Sequence, residues 1–66
     1  MARYQLIRRY NDNTITSENT NELPALFAAI AIYLEDPNCI QIKVIDSMTH
    51  ETIVKYWKDN EDTWRE

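Results

Sequence analysis

The chain contains no glycine and only one cysteine, and both shortages restrict its chemistry. A phosphate-binding loop needs glycines where the backbone approaches the phosphate, so that motif is excluded. The lone thiol of Cys39 cannot form a disulfide within the chain. Cys39 and His50 are the only soft metal ligands, whereas a closed zinc site takes four Cys or His side chains. We therefore predict no cofactor and no metal site.

Long apolar runs are also missing from the sequence. The longest, Leu23 to Leu34, falls well short of the roughly 20 residues that cross a bilayer. Residues 1–5 lack the apolar stretch of a secretion signal, and a lone thiol suits a reducing compartment. The sequence thus predicts a cytoplasmic protein that has no membrane partner.

The chain has 66 residues, which places it near the lower size limit for unaided folding. A chain of this length buries only about 60% of its unfolded surface. Neither a disulfide nor a metal can supply the missing stability, so we expect self-association, with a dimer favoured. We predict one α+β domain over residues 1–58, followed by an acidic tail over residues 59–66. The tail is expected to fray or to form a short docking helix that carries Trp64.

The change of hydrophobic period along the chain predicts the order of its elements. Residues 3–10 and 39–45 have the composition and alternation of strands, and residues 52–57 read as the hairpin partner of the second. Residues 14–16 form a possible short strand. A helix is predicted to follow an N-cap at Thr20 or Asn21 and to end near residue 35, before Pro37. The predicted fold class is therefore α+β, with one helix on a three- to four-stranded, largely antiparallel sheet in the order β-(β)-α-β-β.

Without glycine, positions that need a positive φ must be filled by other residues. Asn, Asp and His tolerate the left-handed region best. The candidates lie in predicted turns and are Asn11, Asn13, Asn38 and His50.

The predicted helix is apolar on all sides. Residues at helical spacing predict a core-facing stripe made of Leu23, Leu26, Phe27, Ile30 and Leu34. The opposite face is expected to be polar but carries Ala25, Ala28, Ala29 and Ile32. Exposed alanines are common because alanine favours helices. Ile32 among small residues is less easily explained, so we predict that this face contacts another helix.

Alternation along the strands predicts which side chains the helix covers. With Ile40, Ile42 and Val44 facing the helix, the neighbouring positions of the same strand point to the other face of the sheet. Val54 and Tyr56 are predicted to point inward in the same way. The uncovered face would then carry seven apolar or basic residues, which we predict to be an interaction surface: Ile7, Arg9, Lys43, Ile45, Ile53, Lys55 and Trp57.

Side chains that could carry catalysis are sparse. Asp46, Ser47 and His50 have the inventory of a hydrolase, but one exposed turn supplies no substrate pocket. The three residues are better explained by the turn itself, in which Asp and Ser cap backbone groups and His takes the left-handed conformation. Cys39 has no neighbouring base and reads as a small, half-buried apolar residue. We therefore predict that the protein is not an enzyme and has no catalytic residues.

The acidic balance bears on the choice of partner. A net charge of −4 argues mildly against bulk binding to nucleic acid, although Arg3, Arg8 and Arg9 concentrate positive charge in the first strand. Glu35 and Asp36 form an acidic pair at the predicted helix C-terminus, where the helix dipole disfavours them. Solvation explains the pair, and contact with a basic partner is the alternative.

These features predict a small non-enzymatic protein-interaction module. It is expected to self-associate and to act as a regulator or inhibitor of another protein, as accessory bacterial or phage proteins do. The alternative is single-stranded nucleic-acid binding, with bases stacked on Trp57 and phosphates held by Arg9, Lys43 and Lys55.

Overall fold

One antiparallel sheet and one helix account for the regular structure of residues 2–66, which are the residues that the computed structural model describes. The elements are β1 (Tyr4–Tyr10), β2 (Ile15–Thr20), α1 (Leu23–Tyr33), β3 (Cys39–Asp46), β4 (Glu51–Lys58) and β5 (Trp64–Arg65). The five strands lie in the order β2-β1-β3-β4-β5, and each neighbouring pair is antiparallel. The predicted α+β class is confirmed, but the predicted count of three to four strands is wrong.

Strand β2 is longer than the short segment that the sequence predicts. It pairs with β1 from Ile15 to Thr20, although its second half is polar. The sheet face under the helix holds Glu18 there, and the Tyr33 hydroxyl donates a hydrogen bond to the Glu18 carboxylate at 2.9 Å. An edge strand at the periphery of the helix can therefore bury a polar side chain that has a partner.

The fifth strand comes from the segment that the sequence predicts to fray or to form a helix. Lys58 pairs with Trp64, and Trp57 pairs with Arg65. The Trp64 indole reaches the helix side of the sheet, where its Nε1 donates to the Leu34 carbonyl at 2.8 Å. This hydrogen bond ties the end of the chain to the end of the helix.

The core lies between α1 and the two central strands. Its buried apolar residues are Leu6, Leu26, Ile30, Cys39, Ile42 and Val44. Two expectations are wrong here. Cys39 is fully buried rather than half-buried, and Phe27 is 45% exposed rather than part of the core. Tyr33 packs against the core, so the buried stripe of the helix is turned away from Phe27 and towards β2.

Two bulges modify the strand alternation. Tyr10 pairs with Cys39 and Arg9 with Gln41, so Ile40 is an extra residue without a partner on β1. Such a bulge lets two successive side chains lie on one side of a sheet. The prediction that Ile40 faces the helix is therefore wrong, while Ile42 and Val44 do face it. The second bulge is at Ile53 in β4. Val44 pairs with Val54 and Ile45 with Thr52, so Ile53 has no partner on β3.

Among residues 2–66, three residues adopt positive φ angles, and the chain has no glycine to take these positions. Asn13 and His50 have φ values of 68° and 62°, as predicted for the two hairpin turns. The third is Asp62, with φ of 58°, in the turn before β5. The other two candidates, Asn11 and Asn38, are not among them.

The helix begins without the predicted cap. Glu22 is the N-cap residue, and its side chain makes no capping hydrogen bond. Thr20 Oγ1 instead accepts from the Glu22 N–H, while Asn21 Oδ1 accepts from the Arg3 N–H. The helix ends at Tyr33, two residues earlier than predicted. Among the described residues, no helix combines the length and apolar character needed to span a membrane.

Asp46 joins the β3–β4 turn to the start of the chain. Its carboxylate accepts from the Arg3 guanidinium at 3.0 Å and from the Met48 N–H at 2.9 Å. The Arg3 hydrogen bond is the main reason that the pKa of Asp46 lies below its ordinary value of 3.8. A carboxylate whose pKa is lower in the folded state than in the unfolded state stabilises the fold at pH values above the unfolded-state pKa. This contribution to the free energy of unfolding is lost as the pH falls through the folded-state pKa.

We therefore expect Asp46→Asn to lower the melting temperature at pH 7. The difference from wild type should shrink towards pH 2, because protonation of the Asp46 carboxylate as the pH falls through its folded-state pKa removes the charge that Asn lacks. Thermal melts at both pH values check this, with Glu61→Gln in an exposed loop as the control for lost negative charge. A pH-independent difference would contradict the assignment of the effect to the Asp46 charge.

Candidate interaction surface on the open sheet face

The helix covers one face of the sheet, and no element of residues 2–66 covers the other. Cross-strand pairing arranges the side chains of this open face in rows. One row runs Ile15, Arg9, Gln41, Trp57 and Arg65. The next row runs Ser17, Ile7, Lys43 and Lys55, and a third runs Asn19, Gln5, Ile45 and Thr52. We refer to these residues, together with the bulge residues Ile40 and Ile53, as the open face.

The structure brings the predicted sheet residues together on this face. Trp57 and Ile53 are the most exposed of its apolar members in β4, at 40% and 39%. Ile7 and Ile45 are half-buried between their neighbours on the strands. The sequence interpretation missed Ile15, which is 57% exposed, because residues 14–16 were predicted only as a possible strand and were assigned to neither face of the sheet.

The three arginines of the first strand lie in three different environments. Arg3 pairs with Asp46, and Arg8 points to the helix side, where its guanidinium lies 4.0 Å from the centre of the Tyr33 ring. Arg9 alone belongs to the open face. Two of the three arginines therefore make contacts within the fold, and only Arg9 is a cation of the open face.

Charge on the open face is of one sign. Its members include four cations, Arg9, Lys43, Lys55 and Arg65, and no carboxylate. Within residues 2–66 the ion pairs are Arg3–Asp46 and Arg65–Asp59, so Arg9, Lys43 and Lys55 have no acidic partner in the described part of the chain. Lys43 and Lys55 lie directly opposite each other on neighbouring strands. Like charges in that position destabilise a sheet.

Two shallow hollows cross the open face. The larger measures about 400 Å³ and is lined by Arg9, Ile40, Gln41, Lys55, Trp57 and Lys58. The smaller, about 190 Å³, lies beside it, since Arg9 and Gln41 line both. The Lys55 ammonium lies 5.9 Å from the centre of the Trp57 ring, within reach of a cation–π interaction. Ile40, at the bulge, therefore lies on the same surface as Trp57.

Comparisons of the chain with protein-family models, curated proteins and solved structures found no significant match.

The second predicted surface lies on the outer side of the helix. Ala25, Ala28 and Ile32 are exposed there, and Ile32 is 70% exposed. Ala29 is half-buried, and Ala25 and Ala29 line a hollow of about 210 Å³ between the helix and β2.

Two of the side chains considered for catalysis, Asp46 and Cys39, are engaged within the fold. Asp46 is occupied by Arg3 and the Met48 N–H. Burial raises the pKa of the Cys39 thiol, and its Sγ lies 3.7 Å from the Gln41 carbonyl oxygen. Such a thiol is a weak nucleophile, because the thiolate is the reactive form. In residues 2–66, no group of three His, Cys, Asp or Glu side chains could hold a metal ion.

Proposed function

We propose that the chain is a non-enzymatic binding module whose open face takes an acidic, partly apolar segment of another protein. The observation that carries this proposal is the direct apposition of Lys43 and Lys55 on a face without carboxylates. A sheet that stabilised only itself would gain from an acidic residue at either position. An acidic side chain of a partner, placed between the two lysines, would offset their repulsion.

The same charges argue against a second copy on this face. A two-fold dimer brings identical patches together, so two basic faces without carboxylates would meet and no lysine would gain an acidic partner. Like-charge contacts across an interface cost several kcal/mol, roughly, when no counter-charge intervenes. A partner of different composition fits the open face better.

The apolar residues favour a protein over a nucleic acid. Ile7, Ile45 and Ile53 surround the lysine pair with aliphatic surface. Nucleic-acid sheets instead display several aromatic rings, because successive bases stack on them. A segment that alternates acidic and aliphatic side chains would match both the lysines and the isoleucines. By binding such a segment, the module would block its other contacts and so regulate or inhibit the protein that carries it.

One observation favours single-stranded nucleic acid as the second candidate. Trp57 forms one wall of the larger hollow, with Arg9 and Lys55 beside it. A single base could stack on the indole while the two cations hold the flanking phosphates. This arrangement suits one nucleotide. The remainder of the face, within residues 2–66, is aliphatic and offers no further aromatic ring on which a second base could stack.

Lys55→Glu separates binding from stability, because the two should change in opposite directions. The new carboxylate would lie opposite Lys43 and form a cross-strand ion pair, which should stabilise the fold by about 0.2–1 kcal/mol. Binding to an acidic segment should weaken at least tenfold. Thermal melts report the first effect. Fluorescence anisotropy of a labelled peptide of alternating Glu and Leu reports the second.

Two controls accompany this experiment. Lys55→Gln removes one charge without creating an ion pair, and Asn60→Asp makes the same change in net charge in an exposed loop. Labelled oligothymidylate replaces the peptide in a parallel titration at low and high salt. If the wild type binds oligothymidylate at low salt and ignores the peptide, the nucleic-acid candidate replaces the protein-binding proposal.

A further inference from the structure

The outward side of the helix is a second exposed surface, and it differs from the open face in having no charge. From Leu23 to Leu34 the chain contains no charged residue. Phe27 and Ile32 are 45% and 70% exposed along this stretch. Together with three small or rigid residues they form what we call the helix ridge: Pro24, Phe27, Ala28, Ala31 and Ile32. An exposed apolar surface that contains no polar side chain is typical of a contact site.

The helical period sets the shape of the ridge. At 3.6 residues per turn, Pro24, Ala28 and Ala31 follow one line along the helix, with Phe27 on one side and Ile32 on the other. Small residues along that line permit another helix to approach closely. The two large side chains then act as borders into which a facing side chain can pack.

We propose that a second copy of the chain covers the helix ridge, with the two helices antiparallel. In a two-fold antiparallel pair centred between Ala29 and Ile30, Phe27 of each copy lies level with Ile32 of the other, across the line of small residues. The contact is therefore self-complementary, as a two-fold interface requires. The lysine pair that disfavours self-association of the open face has no counterpart on the ridge.

Charge at the helix ends supports the antiparallel direction. The first turn has no acidic residue, and the N-cap Glu22 side chain makes no capping hydrogen bond. Glu35, exposed just beyond the other end, lies where its own helix dipole disfavours it. Antiparallel pairing brings Glu35 of one copy to the first turn of the other, near Pro24. There the free N–H groups and the positive end of the dipole favour a carboxylate.

The size of the ridge limits the strength of this contact. An 11-residue helix is about 16 Å long, so two such helices bury less than a standard-size interface. We expect a dimer that forms and dissociates with concentration in the micromolar range, roughly. The open faces of both copies would point outward, so this inference does not depend on the proposed function and would allow two partner segments to be held at once.

Analytical ultracentrifugation over about 1–300 micromolar, the range of weak interfaces, tests the proposal. The wild type should shift from the 7.9 kDa chain mass to twice that value. Phe27→Glu and Ile32→Lys should each remove the dimer at every concentration. The double variant Phe27→Glu/Ile32→Lys should restore it, because antiparallel pairing places each new acid level with a new base of the other copy, within reach of the long Glu and Lys side chains. Ile15→Glu, on the open face, is the matched control and should dimerise like wild type.

Circular dichroism of each variant verifies that the helix and sheet are intact, since both substituted side chains are exposed. A wild type that stays monomeric throughout the range overturns the proposal, as does a folded Phe27→Glu variant that still dimerises. A double variant that fails to recover overturns the antiparallel register. Glu35→Gln should weaken the dimer about two- to fivefold, the scale of a helix-end charge. An unchanged affinity would remove the helix-end argument for the antiparallel direction.

Discussion

Trp57→Ala is expected to weaken partner binding by at least about 2 kcal/mol, or roughly 30-fold, while leaving the melting temperature almost unchanged. Trp57 lies on the open face, 40% exposed, in line with Arg9 and Gln41. An aromatic side chain in the middle of an apolar and basic surface supplies a large contact area at little cost in conformational entropy. Such residues dominate the energy of interfaces. Peptide anisotropy and thermal melts of the same preparation measure the two effects.

The second tryptophan provides the matched control. Trp64 lies on the opposite side of the sheet, where it packs against the core and donates to the Leu34 carbonyl. Trp64→Ala should therefore lower the melting temperature markedly. Below that melting temperature, binding should persist. If Trp57→Ala melts like wild type and binds the peptide equally well, Trp57 has no role at the interface and the open face loses its anchor.

The open face could be predicted from the sequence because strand alternation is a local property. Once Ile42 and Val44 are assigned to the core, Lys43 and Ile45 must lie on the other side. The same argument placed Lys55 and Trp57 opposite Val54 and Tyr56. Their alignment across strands depends on register, which no local pattern gives. The apposition of Lys43 and Lys55 therefore became visible only in the sheet.

The edge strands could not be predicted because their stabilising partners are distant in sequence. Residues 17–20 are polar and resemble a capping segment, yet they pair with β1 and shelter Glu18 beneath Tyr33. Trp64 stands alone in an acidic segment, and its partner is a carbonyl at the far end of the helix. In both places a tertiary hydrogen bond outweighs local propensity.

The apolar composition of the helix is too uniform to indicate which of its sides faces the sheet. Every residue from Leu23 to Leu34 other than Pro24 and Tyr33 is an apolar helix former, so several core-facing stripes fit the sequence equally well. The hydrogen bond from Tyr33 to Glu18 and the bond from Trp64 to Leu34 fix the rotation of the helix on the sheet. Phe27 is then left at the surface, where it becomes available for contact with another molecule.

Ile42→Ala should destabilise the fold by about 2–5 kcal/mol, because its side chain is fully buried in the central strand. Truncation there removes apolar contacts with the helix and leaves a cavity that the sheet cannot close. A small domain has roughly 5–15 kcal/mol of stability in total, so the loss should be evident in a urea titration. The transition midpoint should fall well below that of wild type.

Ile40→Ala makes the same chemical change two residues earlier and should cost less than about 1 kcal/mol, since a surface truncation creates no cavity. In regular alternation Ile40 and Ile42 would point to the same side, and both substitutions would be severe. The bulge at Ile40 separates them and places Ile40 in the hollow beside Trp57. Ile40→Ala should therefore alter peptide binding more than folding. Equal destabilisation by the two variants would show that strand β3 runs without the bulge, and that Ile40 belongs to the core.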